Sequence, residues 1–159
     1  MAIIISCFPL CGRTTYAQNS QYKVLDLDTN PYMWVFHDST EVRNPDFPNN
    51  YIEAINDNAN KYDIILVPSS ITVRFALSTN NIPYYLVYPD NSQACYNEWK
   101  RRAELKGSHY GVSFLFDSLW KRSLVSCRDD KNAVLHIKLD HDSYLSSQLH
   151  IILKYVGLL

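Results

Sequence analysis

Apolar residues along this chain gather into short dense runs, and the runs alternate between two periods. Ile3–Ser6, Tyr22–Leu27, Ile64–Val67, Tyr84–Tyr88 and Val134–Leu139 are short, rich in β-branched and aromatic residues, and bounded by Asp, Pro, Asn or Ser. That composition predicts strands. Three of the runs are almost continuously apolar, as strands covered on both faces should be. The intervening segments predict helices over Thr14–Gln18, Pro48–Lys61, Ile71–Asn80, Ser92–Lys106, Phe114–Val125 and Ser143–Tyr155. Pro48 suits the first turn of its helix, and Ile52, Ile55 and Ala59 form an apolar stripe at helical spacing. Strand and helix in alternation predict an α/β fold: a five-stranded parallel sheet built from right-handed crossovers, with helices on both faces. Residues 30–47 are the least regular part. Tyr32, Trp34 and Phe36 alternate with other residues before a polar stretch carrying His37, Asp38, Glu41 and Arg43. The aromatics suit a core, or a platform for an acceptor at the sheet edge.

Length and composition narrow this picture. The 159 residues, 47% of them hydrophobic, make one domain over 1–159 with a substantial core. Fifteen basic and sixteen acidic side chains leave a net charge of −1, so no global field draws the chain to nucleic acid or to a membrane. The longest apolar runs are far too short to span a bilayer, and the first residues lack the charged and apolar regions of a signal peptide. A cytoplasmic protein is the expectation. Cys7, Cys11, Cys95 and Cys127 show no zinc-type spacing, which favours reduced thiols. The five histidines are scattered, and neither a Ser-His-Asp nor a Cys-His set can be assembled from their order.

The most informative stretch is Ile3–Thr15, IIISCFPLCGRTT. An apolar run ends in a tight segment, and Gly12-Arg13-Thr14-Thr15 opens a helical pattern. This is the layout of a phosphate-binding loop, in which the N–H groups and dipole of a helix N-terminus face an anion. Against G-x-x-x-x-G-K-[ST], Gly12 and Thr14 are in place, Cys7 stands at the first glycine, and Arg13 stands at the lysine. Arg13 keeps the charge but carries a wider, planar head.

Other segments extend the pattern. FPLCGRTTYA resembles the F-P-G-x-G-K-[ST]-x-x-A loop, and VLDLDTN resembles a second strand ending D-L-[DE]-S. NPDFPNNYIEAI and YDIILVPSSITVRFAL resemble an N-P-x-[FW]-P-x-N-Y helix and a third strand with a Ser-Ser exit. IPYYLVYPDNS followed by CYNEWKRRAELKGS resembles a fourth strand leading to an arginine-bearing lid helix. Together, over nearly the whole chain, these pieces resemble the small P-loop nucleotide kinases of the adenylate-kinase-like type, especially the compact phage and bacterial forms. The chain departs from them at Leu10, where glycine is usual, at Arg13, and at Lys106-Gly107-Ser108, where the lid usually ends in Arg-Gly-Asn.

The resemblance implies ATP-dependent phosphoryl transfer to a nucleoside monophosphate or similar small acceptor, with Mg²⁺ and with nucleotides as partners. Such transfer needs positioning and positive charge. Pro9, Leu10, Cys11, Gly12, Arg13, Thr14 and Thr15 would hold the phosphates. Thr14 would hold Mg²⁺ through its hydroxyl, and Arg13 would reach the β/γ oxygens. Asp26 and Asp28 would serve the acceptor or the metal, although Asp28 equally suits capping the next turn. Arg74 would meet an acceptor phosphate or lie at the surface. A lid at about 92–113 would bring Arg101 or Arg102 over the phosphates, adjacent helical positions being about 100° apart. The alternative is a non-catalytic nucleotide-binding or protein-interaction module that has kept the fold while its loop decayed.

Overall fold

The computed structural model describes residues 1–107 and 113–159. Five strands, β1 (Ile3–Cys7), β2 (Val24–Asp26), β5 (Ile64–Pro68), β6 (Tyr84–Pro89) and β7 (Leu135–Leu139), form one all-parallel sheet in the order β2-β5-β1-β6-β7. β1 is central because its apolar run can be covered from every side. Ile3–Cys7 pairs with Ile64–Pro68 on one flank, and Ile4–Cys7 pairs with Tyr84–Val87 on the other. The fold is therefore α/β with a parallel sheet, as the alternating pattern predicts.

Alternation along the strands divides the core in two. Ile5, Cys7, Ile64 and Leu66 belong to a cluster that takes in Leu149 and Ile152 of α7 (Leu145–Tyr155), with Tyr16 and Ala17 of α1 (Arg13–Asn19) packed against it. Ile4, Ile65 and Val67 join a second cluster with Tyr51, Ile52 and Ile55 of α3 (Asn49–Asn58) and Val73 and Leu77 of α4 (Ile71–Thr79). Helices α5 (Gln93–Lys106) and α6 (Ser113–Arg128) connect β6 to β7. Trp99 of α5 and Trp120 and Leu124 of α6 extend the first cluster around the end of the sheet. Burial of these large side chains is the main stabilising term, about 1.5–3 kcal/mol for each fully buried one. Among the described residues, no helix is long and apolar enough to cross a membrane.

Residues 30–43 hold what the pattern missed. A single helical turn, α2 (Asn30–Met33), leads into an antiparallel hairpin of β3 (Trp34–His37) and β4 (Thr40–Arg43). Its turn residues Asp38 and Ser39 have φ of 49° and 64°, the left-handed pair a tight two-residue hairpin requires. Tyr32 does pack on Tyr51, with ring centroids 5.4 Å apart. Trp34 and Phe36 do not enter the core. The guanidinium of Arg43 lies 5.5 Å from the Trp34 ring, and Phe36 is 77% exposed.

Candidate functional site

The loop after β1 is fixed at both ends by the neighbouring strands. Phe8 N–H donates to the Val87 carbonyl at 2.9 Å, and the Cys7 carbonyl accepts from Ser69 N–H at 3.0 Å. Between these anchors Leu10 takes φ 66° and Gly12 takes φ 87°. Gly12 is the N-cap of α1 and brings no side chain to its first turn, so the N–H groups there stay available to an outside acceptor. The crossover from β1 runs to β2 in one direction across the sheet, whereas those from β2, β5 and β6 run in the other. The loop thus sits where the winding reverses, at the carboxyl ends of the strands. Open α/β sheets characteristically bind ligands there.

Three of the sequence-predicted residues meet at this point. Arg13 Nε lies 2.7 Å from Asp26 Oδ1, and Thr14 Oγ1 donates to Asp26 Oδ2 at 2.9 Å. The Arg13 contact is an ion pair without an aligned hydrogen bond, so Asp26 Oδ1 is buried with no N–H aimed at it. Asp28 does not join the cluster. β2 ends at Asp26, and Asp28 Oδ1 accepts from Asn30 N–H at 3.2 Å, a local turn bond just before the next helical turn, whose N-cap is Thr29. Among the described residues no group of three or more His, Cys, Asp or Glu side chains could hold a metal ion by itself. The oxygens of Thr14 and Asp26 still suit Mg²⁺, which takes one or two carboxylates and completes its shell with water and substrate phosphates.

Helix α5, which makes up most of the expected lid at 92–113, grips the loop directly. Residues 108–112 of that segment lie outside the described residues. Trp99 Nε1 donates to the Pro9 carbonyl at 2.9 Å. Arg102 donates through Nη1 to the Leu10 carbonyl at 3.1 Å, through Nη2 to the Ser143 carbonyl at 2.9 Å, and through Nε to Glu98 at 3.0 Å. Its guanidinium is sandwiched between the Trp99 and Tyr144 rings, 4.0 and 3.8 Å from their centroids. Arg101 points outward and pairs with Glu98 at 2.7 Å. Hydrogen bonds from Arg101 and then Arg102 hold the Glu98 carboxyl down to about 2 against the opposing effect of burial.

The segment after β7 closes the loop from the other side. Leu145 N–H donates to the Cys11 carbonyl at 2.8 Å, and Tyr144 lies over Gly12. A methyl group on Gly12 would stand 2.9 Å from Tyr144 Cδ1 at a φ that L side chains rarely adopt. Gly12→Ala should therefore lower stability by about 1–2 kcal/mol. A denaturant midpoint equal to that of the wild type would refute this. Glu98, Trp99, Tyr144 and Leu145 were not singled out from the sequence. They come from turns distant in the chain, and no local pattern marks them.

Arg74 is held elsewhere. Ser70 caps α4 by accepting from Val73 N–H, and Arg74, one turn on, is buried. Its Nε donates to the Ser69 carbonyl at 2.9 Å, Nη1 pairs with Asp130, and Nη2 meets Ser126 Oγ. Tyr84 donates its hydroxyl to the same Asp130 carboxylate at 2.8 Å. The guanidinium thus ties α4 to the end of α6 and does not join Asp26.

All four cysteines are free and buried. Cys7 and Cys11 stand at the two ends of the loop, and Cys7 Sγ donates to the Ile5 carbonyl at 3.5 Å. Burial pushes the Cys7 thiol well up, while hydrogen bonding from Cys7, helped by the Arg13 and Arg102 charges, lowers the Cys11 thiol despite its burial.

Comparison with known proteins finds no family model, no curated protein and no solved structure that matches this chain.

Proposed function

We propose that this chain is a P-loop nucleotide kinase that binds ATP at residues 9–15 and transfers its γ-phosphoryl group to a nucleoside monophosphate or similar small acceptor. One observation carries the reading. The loop with left-handed residues at Leu10 and Gly12 leaves the central strand where the winding reverses, and it opens the helix bearing Arg13 and Thr14. Backbone N–H groups at such a position form a nest for phosphate oxygens. Arg13 is paired with Asp26 only at a partly exposed site, with both side chains about a fifth exposed. The pair lacks an aligned hydrogen bond, so Arg13 can exchange Asp26 for the β- and γ-phosphate oxygens, which its planar fork fits in bidentate fashion. When bound, Mg²⁺ would neutralise charge on the migrating group. Thr14 and Asp26 are the residues that would hold it.

The acceptor would lie over Asp26 and the hairpin β3-β4, on the side of the sheet to which the first crossover leads. Helix α5 holds the Pro9 and Leu10 carbonyls by Trp99 and Arg102. That grip leaves the neighbouring N–H groups directed by the loop's own turns, a preorganisation that transition-state stabilisation needs.

One observation favours a second reading, a nucleotide-binding module without catalysis. Every donor that Arg102 extends from the lid helix ends on a protein oxygen, and Arg101 is paired with Glu98. A coupled assay of ADP release across the common ribo- and deoxynucleoside monophosphates, run beside calorimetric titration with ATP, separates the two. Turnover with one acceptor supports the kinase. ATP binding without turnover supports the module, and no ATP binding overturns both.

Arg13→Ala should weaken ATP binding by about 1.5–3 kcal/mol, the worth of a charge-assisted hydrogen bond. Arg13→Lys should retain or raise activity. An unchanged dissociation constant for Arg13→Ala would leave the residue only its contact with Asp26.

A further inference from the structure

We propose that the outer edge of β4 is a self-pairing surface, through which two copies of this chain join their hairpins into one four-stranded antiparallel sheet. The inference goes beyond the nucleotide reading and stands without it. The hairpin is a sheet of its own, separate from the five-stranded one, and every residue of β3 and β4 is exposed. Two strands alone are marginally stable in water, and further strands secure them. Arg43 fastens the base, its guanidinium 5.5 Å from the Trp34 ring and 5.6 Å from the Phe47 ring. Among the described residues, no hydrogen bond from outside the hairpin reaches the backbone of Thr40–Arg43. An edge left open in this way is a template for another strand.

The register fixes which backbone groups the edge presents. Trp34 pairs with Arg43, Val35 with Val42 and Phe36 with Glu41, and bonded and non-bonded pairs alternate along an antiparallel ladder. Asn44 N–H donates to the Met33 carbonyl at 2.7 Å. Counted back from that bonded position, Val42 turns its N–H and C=O inward to Val35, while Glu41 and Arg43 turn theirs outward. A second β4 running antiparallel, with Val42 opposite Val42, meets these groups with its own. Glu41 and Arg43 of the second copy then exchange both main-chain bonds, and the two-fold axis repeats the exchange.

The side chains match in the same register. Glu41 stands opposite Arg43 of the second copy, and Arg43 opposite Glu41 of the second copy. Within the chain neither makes an ion pair among the described residues. On the other face Val35 and Val42, each 38% exposed, continue into the same two valines of the second copy as one apolar row. Cross-strand pairs of opposite charge and of β-branched residues are what stabilise a sheet. The β3 edge offers no such match, because pairing it about Val35 sets Trp34 against Phe36 and brings no charges together.

The pairing is short, bounded by the turn at Asp38-Ser39 and by Pro45, which has no N–H. Association is therefore weak, with a dissociation constant of about 10 μM or more. Sedimentation velocity of the full chain, over a dilution series reaching about 1 mM, should show reversible exchange between monomer and dimer. Glu41→Arg alone, or Arg43→Glu alone, sets like charges opposite each other twice and should raise the dissociation constant about tenfold or more. Glu41→Arg combined with Arg43→Glu should restore it. Cross-linking reads the register. Val42→Cys would face itself at a non-bonded pair, with Cα atoms about 4.5 Å apart and within reach of a disulfide. Copper–phenanthroline should convert Val42→Cys to a covalent dimer, but neither His37→Cys nor the wild type, whose cysteines are all buried. These substitutions fall on exposed strand positions, so circular dichroism should match the wild type. A wild-type chain that stays monomeric throughout the series overturns the proposal by itself. So does a dimer indifferent to either charge reversal, or His37→Cys cross-linking as readily as Val42→Cys.

Discussion

Asp130→Ala should cost about 3–5 kcal/mol. The carboxylate receives Arg74, the Tyr84 hydroxyl and the backbone N–H groups of Asn132 and Ala133. Truncation leaves the Arg74 guanidinium buried without its counter-charge and the Tyr84 hydroxyl without its acceptor. Urea unfolding at neutral pH measures the loss, and a change below about 1 kcal/mol would refute the assignment. Replacing both members by apolar residues, Arg74→Met with Asp130→Leu, should recover most of it, because no buried charge then remains. The same pair sets an acid limb. Burial alone would raise the Asp130 pKa, but hydrogen bonds from Arg74 and then Tyr84 overcome it and hold the carboxyl below its ordinary value. A depressed folded pKa contributes stability above the unfolded value of about 3.9 and loses it as pH falls through the folded one. Wild-type stability should thus fall more steeply below about pH 4 than that of the double variant.

Arg102→Ala should cost about 3 kcal/mol and lower the melting temperature by about 6–12 °C for a chain of this size. Four contacts go at once, those to the Leu10, His141 and Ser143 carbonyls and that to Glu98, along with the stack between Trp99 and Tyr144. Arg102→Lys should restore little, since a point charge cannot bridge two carbonyls while lying flat between two rings. Melting followed by circular dichroism checks both variants. A shift under about 2 °C for Arg102→Ala would mean that the guanidinium is replaceable by water. If ATP affinity falls in Arg102→Lys while its melting temperature stays high, the side chain acts on the nucleotide as well as on the loop.

The strands and most helices could be read from the sequence because burial writes them locally. Ile3–Cys7, apart from Ser6, and Ile64–Pro68 are apolar since both faces are covered, and the resulting sheet is the predicted one. Helix ends differ by a few residues. The Pro48–Lys61 pattern, for example, shrinks to Asn49–Asn58, with Pro48 as the cap. The hairpin at 34–43 escaped because its turn is Asp38-Ser39, which lacks the glycine that usually advertises left-handed turn residues. Its aromatics suggested burial, yet most of Phe36 is exposed.

The site was legible only in part. Arg13 and Thr14 open the helix that follows β1 and Asp26 ends β2, and the parallel topology puts both at the carboxyl edge of the sheet. Arg74 and Arg102 did not follow. A surface arginine, a phosphate ligand and a buried brace look identical in sequence, and what separates them is a partner far along the chain. For Arg102 the decisive partners are the Leu10 and Ser143 carbonyls, and carbonyls exist at every residue. For Arg74 the partner is Asp130, inside a run of charges that reads as a solvated end of helix.

The central place of β1 bears on how the chain is made. β1 is made before the other strands of its sheet, and its partners, residues 64–68 and 84–87, follow much later. No strand synthesised next to it can shield Ile3, Ile4 and Ile5, because β2 pairs with β5 and not with β1. Residues 3–7 must therefore wait as an unpaired apolar segment until residues 64–68 have been made. Non-local pairing of this kind slows folding and prolongs exposure. The early chain is accordingly the part that a chaperone would hold, and the sheet closes outward from β1 once β5 and β6 have emerged.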